Sequence, residues 1–160
     1  MKKVFSITIV AALAMSFQFK TETPQPTDTK LALTINSSSR APITISTGTY
    51  IGTVPCVDCE GIQMKLTLKE GKAGKGKTFL LEQTYLGKPA GSNVVRIKGI
   101  WIPARGNKQD PKAVVIQLIP DGNYDPLYFL RLNDYDIKML DRKQSSIKSK
   151  HNYMLQKQRG

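Results

Sequence analysis

Ile62, Met64, Leu66 and Leu68 alternate one for one with Gln63, Lys65, Thr67 and Lys69. Successive side chains of a β-strand point to opposite faces, so this period of two predicts a strand with one buried and one wet face. Segments of similar character follow at Thr78–Leu86, Val94–Ile102, Ala113–Ile119, Leu127–Leu132, Tyr135–Leu140 and Asn152–Gln156, and Gly48–Val54 precedes them. Turn formers separate them: Gly87-Lys88-Pro89, Arg105-Gly106-Asn107, Pro120-Asp121-Gly122-Asn123 and Asn133-Asp134. No stretch holds a helical period. About eight short strands at near-regular spacing predict an all-β fold, a small antiparallel barrel or sandwich. Closure into a barrel removes exposed edges, and eight strands leave an interior filled by side chains or wide enough for one small ligand. Hydrophobic residues make up 40% of the 160, which suffices for one core and is too few for a membrane protein.

The ends of the chain differ from this pattern. Lys2 and Lys3 precede the apolar run Val4–Ala14, and Ala12-Leu13-Ala14 has the small-x-small form of a cleavage site. That is the anatomy of a secretory signal peptide over residues 1–19, too short for a spanning helix of about 20 apolar residues. No later segment could span a bilayer as a helix, and no Cys lies near the cleavage region to carry a lipid anchor. The expectation is a periplasmic or otherwise exported chain, soluble after cleavage. Residues 20–47 are rich in Thr, Ser and Pro and read as a flexible lead-in, with one short strand at Leu31–Ile35. The folded domain is expected over residues 48–160.

The charge is strongly positive, with 24 Lys and Arg against 12 Asp and Glu, formally +12. Nucleic-acid binding needs a basic patch joined to groove-reading or stacking elements, and export removes that partner. A solvated basic surface drawn to anionic headgroups is the plainer reading.

The chemistry centres on Pro55-Cys56-Val57-Asp58-Cys59-Glu60-Gly61, which holds both cysteines. In an exported protein they can form a disulfide, bind metal as thiolates, or alternate between the two. Two sulfurs fall short of the four ligands of a structural zinc site, and the only histidine, His151, is remote in sequence. Two soft thiolates suit Cu(I). A thioredoxin-type redox site needs a helix opening at the motif within a βαβ unit, and here a strand follows. A plain disulfide that stiffens a loop is the third reading.

The run Gly48-Thr49-Tyr50-Ile51-Gly52-Thr53-Val54-Pro55-Cys56-Val57-Asp58-Cys59-Glu60-Gly61-Ile62 resembles the opening signature of the copper-resistance NlpE N-terminal domain family. Leu66-Thr67-Leu68, Phe79–Tyr85, Gly99-Ile100-Trp101, Tyr128–Leu132, Leu140-Asp141 and Asn152-Tyr153-Met154-Leu155 follow in the family's order, so the resemblance covers roughly residues 48–157. It implies a lipocalin-like barrel of the cell envelope, linked to copper resistance and to activation of an envelope stress response through a sensor protein. It places the metal or redox element on Cys56 and Cys59. The chain departs from the pattern in lacking the lipid-anchoring Cys, in ending soon after the barrel, and in carrying Glu60 where Pro is common. Glu60 adds a negative charge beside the thiols, which raises a thiol's pKa.

Gly71-Lys72-Ala73-Gly74-Lys75-Gly76-Lys77-Thr78 matches the phosphate-loop pattern, but that loop works only where a helix begins at its end. Thr78–Tyr85 is β-branched and aromatic, so a basic hairpin loop is expected instead. Met64, Met139 and Met154 could lend thioethers to copper, yet each falls at a core position of a strand. Trp101 reads as core, His151 as an exposed side chain, and Asp134, Asp136 and Asp141 as turn and surface groups. No catalytic set can be assembled, and no enzymatic activity is expected. Two functions remain: a metal- or redox-responsive envelope protein working through Cys56 and Cys59, and a barrel that binds an apolar ligand or protein partner around a structural disulfide. An exposed Cys pair with Met64 or His151 close by would favour the first, and a lined cavity with a wide mouth the second.

Overall fold

Period-two alternation becomes eight strands, each paired with its sequence neighbour: β1 (Gly48–Val54), β2 (Gly61–Glu70), β3 (Lys77–Leu86), β4 (Val94–Arg105), β5 (Val114–Pro120), β6 (Leu127–Arg131), β7 (Asp136–Met139) and β8 (Met154–Lys157). The computed structural model describes residues 42–71 and 76–159. The expected signal segment, most of the lead-in, the strand at Leu31–Ile35 and four residues of the phosphate-loop match lie outside them. All pairs are antiparallel, and β8 returns to β1 through Tyr50↔Lys157 and Ile51↔Gln156, which closes the barrel. No helix among the described residues is long and apolar enough to cross a membrane, which says nothing of strands.

Register carries the inward side chains in rows around the barrel. Tyr50 faces Leu66, Leu66 faces Leu81, and Leu81 faces Ile97. Trp101 faces Leu118, Ile116 faces Phe129, and Ile137 faces Leu155. All of these are buried, and together with Met64, Leu68 and Phe79 they belong to one core cluster. The interior is filled mainly by side chains, one of the two outcomes open to an eight-stranded barrel. Ile45 joins this cluster and Ile43 packs against it, so the last residues before β1 are tied to the barrel. Tyr50 Oη donates to Ser46 O at 2.6 Å. Burial pushes its phenol above the ordinary range, partly opposed by that hydrogen bond.

Two strands differ from the alternation reading by more than one residue at an end, each for a physical reason. β4 runs on through Pro103 to Arg105 because its ladder with β5 continues to Arg105↔Val114, whereas its ladder with β3 ends at Ile100. Beyond that point only β5 pairs with it, and a proline without an N–H is tolerated where one edge is free. β8 starts two residues later than the alternation suggests, because Asn152 Oδ1 accepts from Met154 N at 3.0 Å and turns the chain before the ladder begins.

Antiparallel order puts the β1–β2, β3–β4, β5–β6 and β7–β8 connections at one end of the barrel. The last of these is long. Its Arg142 pairs with Asp125 in the β5–β6 connection at 2.6 Å, and Ser146 N donates to Gln109 Oε1 in the β4–β5 connection. The segment therefore crosses the outside of the barrel, and Val115, an outward residue, is fully buried.

Candidate functional site

β1 ends at Val54, Pro55 stops the strand, and the chain turns through residues 55–60 before Gly61 opens β2. Cys56 and Cys59 are joined in a disulfide across this turn. Both are half-buried, while Val57 between them is fully exposed. Asp58 Oδ1 lies 3.4 Å from Cys56 Sγ, and Gly61 O lies 3.3 Å from Cys59 Sγ. Lys88, from the β3–β4 connection, donates to Asp58 Oδ2 at 3.3 Å. Backbone ties the loop to the same neighbour, with Glu60 N donating to Leu86 O at 3.2 Å.

Cys56, Asp58 and Cys59 offer two sulfurs and one carboxylate oxygen within 4.8 Å of one another. In the disulfide the sulfurs are neither thiols nor thiolates. Reduction by two electrons and two protons would give a soft pair with one hard oxygen beside it, a donor set that fits Cu(I) through its sulfurs. Asp58 was legible in the motif but stood out less than the Met and His candidates. The carboxylate that touches sulfur is Asp58, whereas the Glu60 carboxylate lies against Gly87.

The other sequence candidates do not converge on the loop. Met64 is fully buried in the barrel core. Met139 and Met154 are half-buried on β7 and β8. His151 is exposed, and its backbone N donates to Ser149 Oγ at 3.1 Å. Asp134 pairs with Arg131 at 2.5 Å, and Asp136 accepts from Asn133 Nδ2 at 2.8 Å. Asp141 Oδ1 accepts from the N–H groups of Lys143 and Ser145, so all three act as turn groups. The basic loop after β2 leads into β3 rather than a helix, so no helix N-terminus stands behind it to hold a phosphate.

A cavity of about 280 Å³ opens at the same barrel end as the Cys loop. Ile97, Leu127 and Met139 supply apolar walls, Gln83 a polar group, and the Asp125–Arg142 pair part of the rim. Its volume falls just under the span of about 300–1,000 Å³ usual for small-molecule sites.

The NlpE N-terminal domain family model matches residues 50–150 of this chain. Lipoprotein NlpE of Escherichia coli (strain K12) is 27% identical over 123 residues, covering 77% of this chain and 46% of that protein. The chain thus spans about half the length of this curated relative. A putative lipoprotein from Shewanella oneidensis is similar in structure, with a TM-score of 0.48 and 26% identity over 71% of this chain and 89% of that one. The Cpx pathway activator NlpE from Escherichia coli gives a TM-score of 0.47 and 28% identity over 71% of this chain and 52% of that one. The curated relative is a lipoprotein by name, which stands against the expectation of a chain without a lipid anchor.

Proposed function

The chain belongs to the NlpE N-terminal domain family, and from that premise we propose that it works in the cell envelope as a metal- or redox-responsive element of stress sensing, through the Cys56–Cys59 loop. The observation that carries this reading is the Cys56–Asp58–Cys59 cluster on a turn at the barrel end, with Val57 projecting into solvent. Three further points support it. The basic and apolar N-terminus has the form of an export signal. A disulfide persists in oxidising compartments outside the cytosol. The Escherichia coli relative is a Cpx pathway activator, which makes an envelope stress sensor the partner class to test.

The loop has two chemical states. Oxidised, it is a short covalent turn without thiolates. A dithiol reductant would open it by thiol–disulfide exchange, leaving two thiols here and a disulfide on the reductant. The freed pair would bind Cu(I) as thiolates and release its protons. Asp58, held by Lys88, shapes the turn and places a negative charge beside Cys56.

Cu(I) titration of the reduced protein against a competing chelator tests this. One-to-one binding, lowered at least tenfold in the Cys56→Ser/Cys59→Ser variant, is the expected result. Equal binding by the variant would overturn the thiol-pair reading of metal sensing.

A second reading rests on the cavity lined by Ile97, Leu127 and Met139, which would take a small apolar ligand with the disulfide as a brace. It becomes the leading one if copper binding fails and a fluorescent naphthylamine probe is captured by the oxidised protein.

A further inference from the structure

The outer wall of the barrel is not uniform. On β2 and the far part of β3 it is polar, carrying Lys65, Thr67, Lys69 and Glu82. Around β4 it becomes apolar. Ile100 stands directly opposite Ile119, Ile102 follows two residues along the same face of β4, and Leu80 sits diagonally across from Ile100. Ile100 is 47% exposed, Ile102 41%, Leu80 39% and Ile119 37%. These are four large aliphatic side chains on one wall, with Ile100 the register neighbour of each of the other three, not scattered singles, and a contiguous patch of that kind marks an interaction surface.

The rest of the fold sharpens the contrast. Val115 lies on the same outward face of β5 as Ile119, yet it is fully buried whereas Ile119 is 37% exposed. One outward apolar position is covered and the neighbouring ones are left open.

Charge says what can cover it. Register sets Lys69 in the row Lys69–Thr78–Ile100–Ile119 and Lys98 beside Leu80 in the next row. Both lysines are exposed, and neither takes part in an ion pair among the described residues. The one carboxylate within this wall, Glu82, is bracketed by Lys65 at 3.5 Å and Arg96 at 2.9 Å. The Arg96 hydrogen bond, opposed in part by burial, holds its carboxyl below the ordinary range. Asp121 adds one more negative group beyond the end of β5. The patch is therefore an aliphatic centre with uncompensated lysines at its margin, on a chain of formal charge +12.

We propose that this β3–β5 face, centred on Ile100, rests on an anionic lipid surface. The isoleucines and Leu80 enter the boundary between headgroups and acyl chains, while Lys69 and Lys98 meet the phosphates. Apolar burial and electrostatic attraction act together in such interfacial contacts, each insufficient alone. A neutral bilayer offers no counter-charge, and a purely polar acidic surface offers no apolar layer. The proposal depends on the envelope location argued above and is independent of the Cys loop, so the two fail separately.

Co-sedimentation of the exported protein with large vesicles tests it, using phosphatidylcholine alone and a phosphatidylcholine–phosphatidylglycerol mixture. Binding to the phosphatidylglycerol vesicles only, falling with salt, is the expected result. Ile100→Ser/Ile119→Ser should lower the partition coefficient at least tenfold, and Lys69→Glu/Lys98→Glu by more, at about fivefold per lysine removed. Lys108→Glu/Lys143→Glu makes the same change in net charge away from this face and should retain most of the binding. The proposal falls if the isoleucine variant binds like the parent, or if the distant charge variant loses as much as Lys69→Glu/Lys98→Glu. Sedimentation velocity of the same proteins without lipid gives a further check. A concentration-dependent dimer abolished by Ile100→Ser/Ile119→Ser, with no vesicle binding, would assign the face to a second copy of the chain and overturn the lipid reading.

Discussion

Trp101→Ala should destabilise the barrel by about 4 kcal/mol, as expected for truncation of a large buried aromatic. The ring is 2% exposed and faces Leu118 across the β4–β5 ladder. Its indole N–H donates to Lys69 O at 3.0 Å, and the Lys77 ammonium sits 4.9 Å from the ring centroid. Three losses follow from removing it: apolar contact, the cavity left behind, and an acceptor at the end of β2 without its donor. Trp101→Phe separates them. It keeps most of the apolar volume and removes the N–H, so roughly 1–2 kcal/mol is expected. Trp101 is the only tryptophan, so unfolding in urea has to be followed by circular dichroism rather than fluorescence. A loss below about 1 kcal/mol for Trp101→Ala would mean that the ring is not a packed member of the core.

Most of the fold is legible in the sequence because one face of nearly every strand is buried. A one-residue slip would turn Met64, Leu66 and Leu68 to solvent and Lys65 inward, so hydrophobicity alone pins the phase of β2. Where hydrophobicity stops discriminating, the reading drifts. The Asn152 side chain, not an apolar residue, decides where β8 begins. The end of the β3 ladder, not any residue in β4, permits Pro103 within a strand. Register with a strand distant in sequence carries no local signature.

The same division holds at the Cys loop. Proximity within seven residues of chain made Cys56 and Cys59 readable as a pair. The companions weighed for them, Met64 and His151, are not at the loop, because β2 directs Met64 into the core and His151 lies exposed in the β7–β8 connection. Asp58 takes the place beside Cys56, held by Lys88 from thirty residues away. That contact depends on β3 pairing with β2, which brings the β3–β4 turn to the same barrel end.

Gly52→Ala is the smallest substitution with a large expected effect, because it acts on the closure of the barrel. A Cβ at position 52 would point inward and stand 2.2 Å from Met154 O, 3.0 Å from Leu155 Cα and 3.1 Å from Met154 C. All three are backbone atoms of β8, so no side-chain rotation relieves the clash. β8 has four residues and meets β1 through only two register pairs, which leaves little ladder to resist displacement. Replacing Gly by Ala ordinarily stabilises by about 0.4–1 kcal/mol through the unfolded chain. Overpacking against fixed backbone outweighs that, and a net loss of roughly 3 kcal/mol is expected. The neighbouring Thr53→Ala, on the exposed side of the same strand, should stay within about 0.5 kcal/mol of the parent. An opened seam would free the edges of β1 and β8, so self-association should accompany the loss of stability. It would also loosen the strand that leads into Pro55 and Cys56, and the Gly52→Ala disulfide should then be reduced faster by a dithiol than that of Thr53→Ala. Equal unfolding midpoints for the two variants would show that β8 does not lie against Gly52, and equal reduction rates would show that the Cys loop is held by β2 and β3 alone.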